Sequence, residues 1–362
     1  MAGRRRLVSA AAPPLDDDDL FEEILVRLSP LPSSLPRASF VSKRWRALAT
    51  APLFHRRFFA HHQKPPILGV FEKYGQKLHF SIIFLFDPIS RDCRFVSIPP
   101  GFGPRWANPP DLGHYECTVR AAVLCAAGDD QDHVHGDCHM SPFKVAVVGT
   151  FCGGRHPAIA ILRGPTGIWG DRVSTAEPCT GTVSSLPCTL AGSALYWWLD
   201  ESQDEILEFD LDSERLALVK RPTFVGIDSS CIRIIRAEGG SVGIAVLAYP
   251  SFQMWCRKVS GDGVATWMLQ KTGNMHEITG LPSGIETRNA AIVGYSEEAG
   301  ALFISVSSNS EHYAFIVQLD SMQSRKLNGT FLEKSYHPFT NFYTAGTVEA
   351  QSSAPAIEPP QQ

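Results

Sequence analysis

The spacing of apolar positions changes character once along this chain. Up to about His62 they recur three and four apart, whereas from Ile67 onward they come in short runs cut by Gly, Pro, Ser and Asp. The first pattern is helical and the second is β. Leu20, Ile24, Leu25 and Leu28 make one apolar stripe, with Glu22, Glu23 and Arg27 off it. The run Asp16-Asp17-Asp18-Asp19 ahead of that stripe suits the positive end of a helix and can supply its N-cap, and Ser29-Pro30 with Pro32 ends the helix. A second helix is expected from Ser33 or Ser34 through Leu48, with Leu35, Ala38, Val41, Trp45 and Leu48 on its apolar face. A third, short one should follow Pro52, whose fixed φ suits a first helical turn, and carries Leu53, Phe54 and Phe58.

Helices this short bury little surface among themselves, yet the segment holds more Leu, Ile, Phe and Trp than its own core needs. An apolar face completed by a partner is the physical expectation. The string Leu15, then Glu22-Glu23-Ile24-Leu25-Val26-Arg27-Leu28, then Arg37-Ala38-Ser39-Phe40-Val41-Ser42-Lys43-Arg44-Trp45-Arg46, followed by Pro52-Leu53-Phe54, resembles an F-box in the style of large plant families. One departure is that Leu15 is followed directly by four Asp, where the family has Leu-Pro before an acidic pair. The resemblance implies docking on the Skp-type adaptor of a cullin-RING ubiquitin ligase. The residues expected to carry that contact are Leu15, Leu20, Ile24, Leu25, Leu28, Leu35, Val41 and Trp45, some of them serving the module's own core instead.

Beyond Gln63-Lys64-Pro65-Pro66, which reads as a linker, a turn unit recurs. Ile82 to Phe86 leads into Asp87 and out through Phe95 to Ile98; Ile206 to Phe209 leads into Asp210 and out through Leu216 to Leu218; Phe315 to Leu319 leads into Asp320 and out through Lys326-Leu327. In each, an Asp closes an apolar strand, where its carboxylate can accept bonds from the turn's own backbone. Two copies share an upstream strand, Gly192 to Trp197 and Gly300 to Ile304. Further hairpins are expected from Lys144 to Leu162 and from Val242 to Gln270. A degenerate repeat of short strands predicts a β-propeller of around six blades, with a β-sandwich as the competing architecture. Leu195-Tyr196-Trp197-Trp198, Ile206 to Asp210 and Phe342-Tyr343-Thr344 resemble the C-terminal, Kelch-like domains that accompany F-boxes in grass proteins, which implies a substrate receptor.

Composition changes this picture little. A net charge of -4 gives no general pull towards nucleic acid or an anionic membrane. The nine cysteines are scattered, without a Cys-x-x-Cys pair, which fits a reducing compartment inside the cell, cytoplasm or nucleus. No run approaches the length of a membrane span. Arg4-Arg5-Arg6 with Leu7 to Ala12 imitates a signal peptide, but its apolar part is short and ends in Pro13-Pro14.

Candidate chemistry is sparse. Asp132, His133, His135, Asp137, Cys138 and His139, with Cys125 upstream, are metal-ligand types but lack a second pair at zinc-finger distance, so a polar loop is expected. There is no Gly-x-Ser-x-Gly elbow and no phosphate loop, and Gly101-Phe102-Gly103-Pro104 reads as a turn. The pairs Asp204-Glu205 and Glu297-Glu298 read as solvated turns. Lys43, Arg44, Arg46, Arg56 and Arg57, with Trp45 and His55 among them, could form a nucleic-acid helix, but the helix also carries the buried stripe and lies near the acidic run. Trp106, Trp169, Trp197, Trp198, Trp255 and Trp267 are expected mostly in the β core.

The whole is α+β and multidomain: a disordered leader (1–14), an F-box helical module of three helices (15–62), a linker (63–66), an all-β, propeller-like substrate-binding domain (67–345) and a disordered tail (346–362). The expected function is a non-catalytic substrate receptor of an SCF-type ligase, joined through the adaptor to the cullin and RING subunit, with a target protein on the β domain. No cofactor, metal, nucleic acid or membrane partner is expected. The alternative is a propeller-type binding module for a glycan or small ligand, without a ligase.

Overall fold

A computed structural model describes residues 18–30, 33–62, 67–72, 82–86, 93–97, 117–126, 142–151, 156–202, 204–261, 263–282, 287–308, 311–327 and 336–340. Leu15, Trp106, the leader, linker and tail, Gly101 to Pro104, the segment from Asp132 to His139, and Phe342 to Thr344 lie outside the described residues.

Among its described residues the front module has four helices rather than three. Helix α1 (Asp18–Val26) opens with Asp18 and Asp19 in its first turn and stops ahead of Ser29-Pro30. The single second helix expected from Ser34 to Leu48 is broken into α2 (Ser34–Ser39) and α3 (Lys43–Ala49). Two serines account for the break. Ser39 Oγ donates back to the Leu35 carbonyl (2.8 Å), and extended Ser42 accepts from the Trp45 backbone N–H (3.1 Å), capping a new helix. Apolar spacing runs straight through this corner, which is why periodicity missed it. Helix α4 (Pro52–His62) begins at Pro52 as expected.

In the β region, β1 (Ile67–Glu72) pairs with the last described strand, and β2 (Ile82–Phe86) with β3 (Cys93–Ser97) forms an antiparallel hairpin. A four-stranded sheet follows in order: β4 (Cys117–Cys125), β5 (Phe143–Phe151), β6 (Pro157–Arg163) and β7 (Val173–Pro178). The next sheet contains β8 (Thr182–Val183), β9 (Thr189–Ala191), β10 (Ala194–Asp200), β11 (Glu205–Asp210) and β12 (Arg215–Lys220), with β8 and β9 both on one edge of β10. Then come β13 (Ile232–Arg236), β14 (Val242–Ala248), β15 (Ser251–Val259) and β16 (Ala265–Asn274), followed by helix α5 (Met275–Thr279). A last four-stranded sheet holds β17 (Thr287–Ser296), β18 (Ala301–Ser308), β19 (His312–Gln318) and β20 (Ser324–Lys326); β21 (Tyr336–Thr340) returns to β1. All these pairings are antiparallel.

Sheets in the middle of this series are covered on both faces. Along β10 every residue from Ala194 to Leu199 is buried. Leu195, Trp197 and Leu199 face Ala146, Val148 and Leu162 of the preceding sheet, while Tyr196 and Trp198 face Ile232, Ile244 and Val246 of the following one. The same succession continues to Phe252 and Met254 against Ile304 and Phe315. A continuous run such as Leu195-Tyr196-Trp197-Trp198 is what a strand with two dry faces requires. Such serial stacking differs from the two layers of a sandwich.

Of the three expected copies of the recurring turn, Asp87 lies outside the described residues; at the other two the Asp bonds to neighbouring backbone. Asp210 Oδ1 accepts from the Asp212 N–H (3.1 Å), the Ser213 N–H (2.8 Å) and the Ser213 hydroxyl (2.8 Å). Asp320, which closes β19, accepts from the N–H of the next residue, Ser321 (2.6 Å). Gly192 and Gly300, ahead of β10 and β18, both have positive φ, 60° and 57°, which glycine adopts without a Cβ clash.

Candidate partner interface

The helical module closes a core of its own. Phe21 and Leu25 of α1, Leu35 of α2, Ala49 of α3, and Phe54 and Phe58 of α4 are all 2% exposed or less. Trp45 is half-buried, its ring 4.3 Å from that of Phe21. Two histidines hold the outer turns: His55 Nε2 lies 2.8 Å from the Ala49 carbonyl and His62 Nε2 lies 3.0 Å from that of Val26.

With this core complete, five large apolar side chains of the module remain outside it among the described residues. Leu20 is 45% exposed, Ile24 43%, Phe40 81%, Val41 60% and Leu53 72%. The single stripe expected on α1 is therefore two faces: Phe21 and Leu25, with half-buried Leu28, turn inward, and Leu20 and Ile24, one step round the helix, turn out. Of the residues expected to meet the adaptor, Leu20, Ile24 and Val41 are open to a partner. Leu25 and Leu35, at 1% exposure, serve the module's core, and Leu28 and Trp45 lie at its margin. Phe40 and Leu53 lie outside the expected contact set. Phe40 stands just before the helix break that periodicity hid, and Leu53 shares the first turn of α4 with the buried Phe54.

Two cations of the basic cluster, Arg44 and Arg57, are paired with acids of α1. Arg44 pairs with Asp18 (2.6 Å), and Arg57 with Glu22 (2.8 Å) and Glu23. The hydrogen bond from Arg27, then its charge and that of Arg57, holds the Glu23 carboxyl below its ordinary range. These pairs tie α1 to α3 and α4 and offset cations that a phosphate backbone would need.

Two carboxylates expected to be solvated are structural. Glu205 is 6% exposed, accepting from Thr180 Oγ1 (2.6 Å) and Lys220 Nζ (3.0 Å). Glu297 accepts from the Leu190 N–H (2.8 Å), linking the β17–β18 turn to β9. Burial pushes its carboxyl up to about 7 against the opposing Leu190 bond and the Arg236 charge. Beside it Arg233 is 4% exposed, and burial lowers its guanidinium to about 10. Position in the sequence hid this, because both acids stand next to turns while their side chains are held by residues 25 and 107 positions away, Thr180 and Leu190. Trp197 and Trp198 are buried, and Trp169, Trp255 and Trp267 are partly buried against core clusters. Among the described residues no three His, Cys, Asp or Glu side chains gather as metal ligands, and no helix is long and apolar enough to cross a membrane.

Residues 17–57 match the model of the F-box domain. No curated protein matches the chain. Among solved structures it is similar to the extracellular domain of the one component system BT4673 from B. thetaiotaomicron, at 12% identity and TM-score 0.31 over 73% of this chain and 29% of that one. It is also similar to the N-terminal domain of Nup159, at 11% identity and TM-score 0.28 over 54% and 48%. A third similarity is to an oligogalacturonate lyase in complex with manganese, at 12% identity and TM-score 0.29 over 71% and 75%. This chain thus spans less than half the length of the first two, and TM-scores at this level assign neither a fold nor a function.

Proposed function

We propose that this chain is the substrate-recognition subunit of an SCF-type cullin-RING ubiquitin ligase, working inside the cell in the cytoplasm, the nucleus or both. Its helical module docks on a Skp-type adaptor, through which the cullin and RING subunits join, and its β region holds the target protein. The observation that carries this reading is a module whose core is closed while Leu20, Ile24, Phe40, Val41 and Leu53 stay exposed, within or beside the stretch matching the F-box domain. Large exposed apolar groups on so small a unit mark a surface that another polypeptide covers. The chain performs no chemistry; it raises the effective concentration of the target near a ubiquitin-charged enzyme.

For the receptor half, the reading is a Kelch-like propeller of the type found in grass F-box proteins. The serial face-to-face packing supports it, as do the contacts between the leading strands β9 and β13, β13 and β17, and β17 and β21. The pairing of β1 with β21 would join the two ends of the ring. If β21, β1, β2 and β3 make up one blade, the ring has five blades rather than around six. Gel filtration of the full chain mixed with a purified Skp-type adaptor tests the ligase reading. Co-elution as a one-to-one complex is expected; separate elution at micromolar concentrations refutes it and favours the ligase-free glycan or small-ligand module.

A further inference from the structure

At one end of β10 lies an open cleft of about 710 Å³, walled by the β10–β11 turn and by the connector from β12 to β13. Its volume is in the range that holds a small ligand or a few residues of a peptide. Apolar surface comes from Leu186, Phe224 and Ile227, with Val225 at the lip 88% exposed. Acceptors come from adjacent carboxylates, Asp200 and Glu201, with the hydroxyls of Ser184, Ser229 and Ser230 around them. Glu201 is exposed in the β10–β11 turn, where it adopts φ 68°.

The cation in the wall is already engaged. Arg221, 8% exposed, lies 4.1 Å over the Trp198 ring and donates to the Ser202 (2.9 Å) and Pro222 (3.1 Å) carbonyls, with Nε unpaired. Its charge is thereby directed to the chain's own backbone and to an indole. Asp200 has a hydrogen bond from Ser184 and the charge of Arg120 behind it, yet burial still raises its carboxyl above the usual range. An incoming cation would relieve that cost.

We propose that this cleft is the target-binding site of the β region and takes a lysine or arginine side chain of a target segment between Asp200 and Glu201, with a neighbouring apolar residue against Leu186, Phe224 and Ile227. A peptide meets both halves of the wall, because one side chain supplies the cation for the carboxylates and its neighbour supplies apolar surface for Leu186, Phe224 and Ile227. The assignment rests on the receptor reading above and names the chemistry of its ligand.

The test uses the full chain bound to the adaptor, immobilised and challenged with degenerate heptapeptide pools whose central residue is fixed as Arg, Lys, Glu or norleucine. Retention of the Arg and Lys pools about tenfold above the others is expected, and Asp200→Asn with Glu201→Gln should abolish the preference at an unchanged melting temperature. If the double variant fails to fold, Glu201→Gln alone, at an exposed position, should still lower retention about threefold. Equal retention of all pools, a preference for the Glu pool, or a basic preference indifferent to these variants overturns the proposal. Adaptor retention is read on the same support. Loss of adaptor with basic selectivity intact refutes the ligase reading alone, and adaptor bound without selectivity refutes the cleft alone.

Discussion

Replacing Leu20 and Ile24 together separates a docking surface from a core. Fully burying a Leu or Ile side chain contributes about 1.5–3 kcal/mol. The module leaves 45% of Leu20 and 43% of Ile24 uncovered, so closing that remainder under an adaptor is worth roughly 1 kcal/mol each. Leu20→Ala with Ile24→Ala should then cost about 2 kcal/mol, or roughly thirtyfold in Kd. The Asp pair also forces two carboxylates under an apolar contact, at about 1–3 kcal/mol each, so its loss should reach about 4 kcal/mol or more, near a thousandfold. The larger share of each side chain, which the module itself already covers, is worth roughly 1 kcal/mol, so the free protein should melt somewhat lower but stay folded, losing less than a core truncation costs. Leu25→Ala is the counterpart: at 1% exposure its loss should cost about 2–5 kcal/mol of stability, enough to melt so small a module. Adaptor affinity by calorimetry and helicity by circular dichroism read the two effects apart. Should the Asp pair bind within about threefold of the parent while the module stays folded, α1 would not be a contact surface.

Three further outcomes follow from the β region and the basic cluster. Glu297 has its proton held more tightly in the folded chain, about 7 against an ordinary 4.5, so its contribution to stability is complete below 4.5 and is lost as pH rises through 7. The loss is at most about 3 kcal/mol, and Glu297→Gln should flatten melting temperature against pH over that window. Asp210→Ala removes an acceptor for three donors in the β11–β12 turn and should cost about 1–2 kcal/mol in urea unfolding; Asp210→Asn, which keeps the acceptor, should cost less. Because Arg44 and Arg57 are paired with α1 carboxylates, the chain should leave heparin at low salt, and strong salt-dependent retention would contradict that pairing.

What the sequence determined by itself was local. Helical spacing before His62, Pro52 at the head of α4, the Asp that closes a strand and the doubly apolar run around Trp197 are all written in neighbouring residues, because caps, turns and pleats are made by neighbours. The resemblance to an F-box was legible for the same reason, since its motif is one short continuous stretch. Tertiary structure decided which face is which. Leu20 and Leu25 are equally apolar in the sequence, and only the positions of Leu35, Phe54 and Phe58 bury one and leave the other open. It likewise turned Glu205 and Glu297 from turn residues into ties to residues distant in the chain, and brought β1 to β21. The physical cause is common to all of these: burial belongs to contacts between residues far apart in sequence, and a hydrophobic pattern records that a side chain avoids water without recording what covers it.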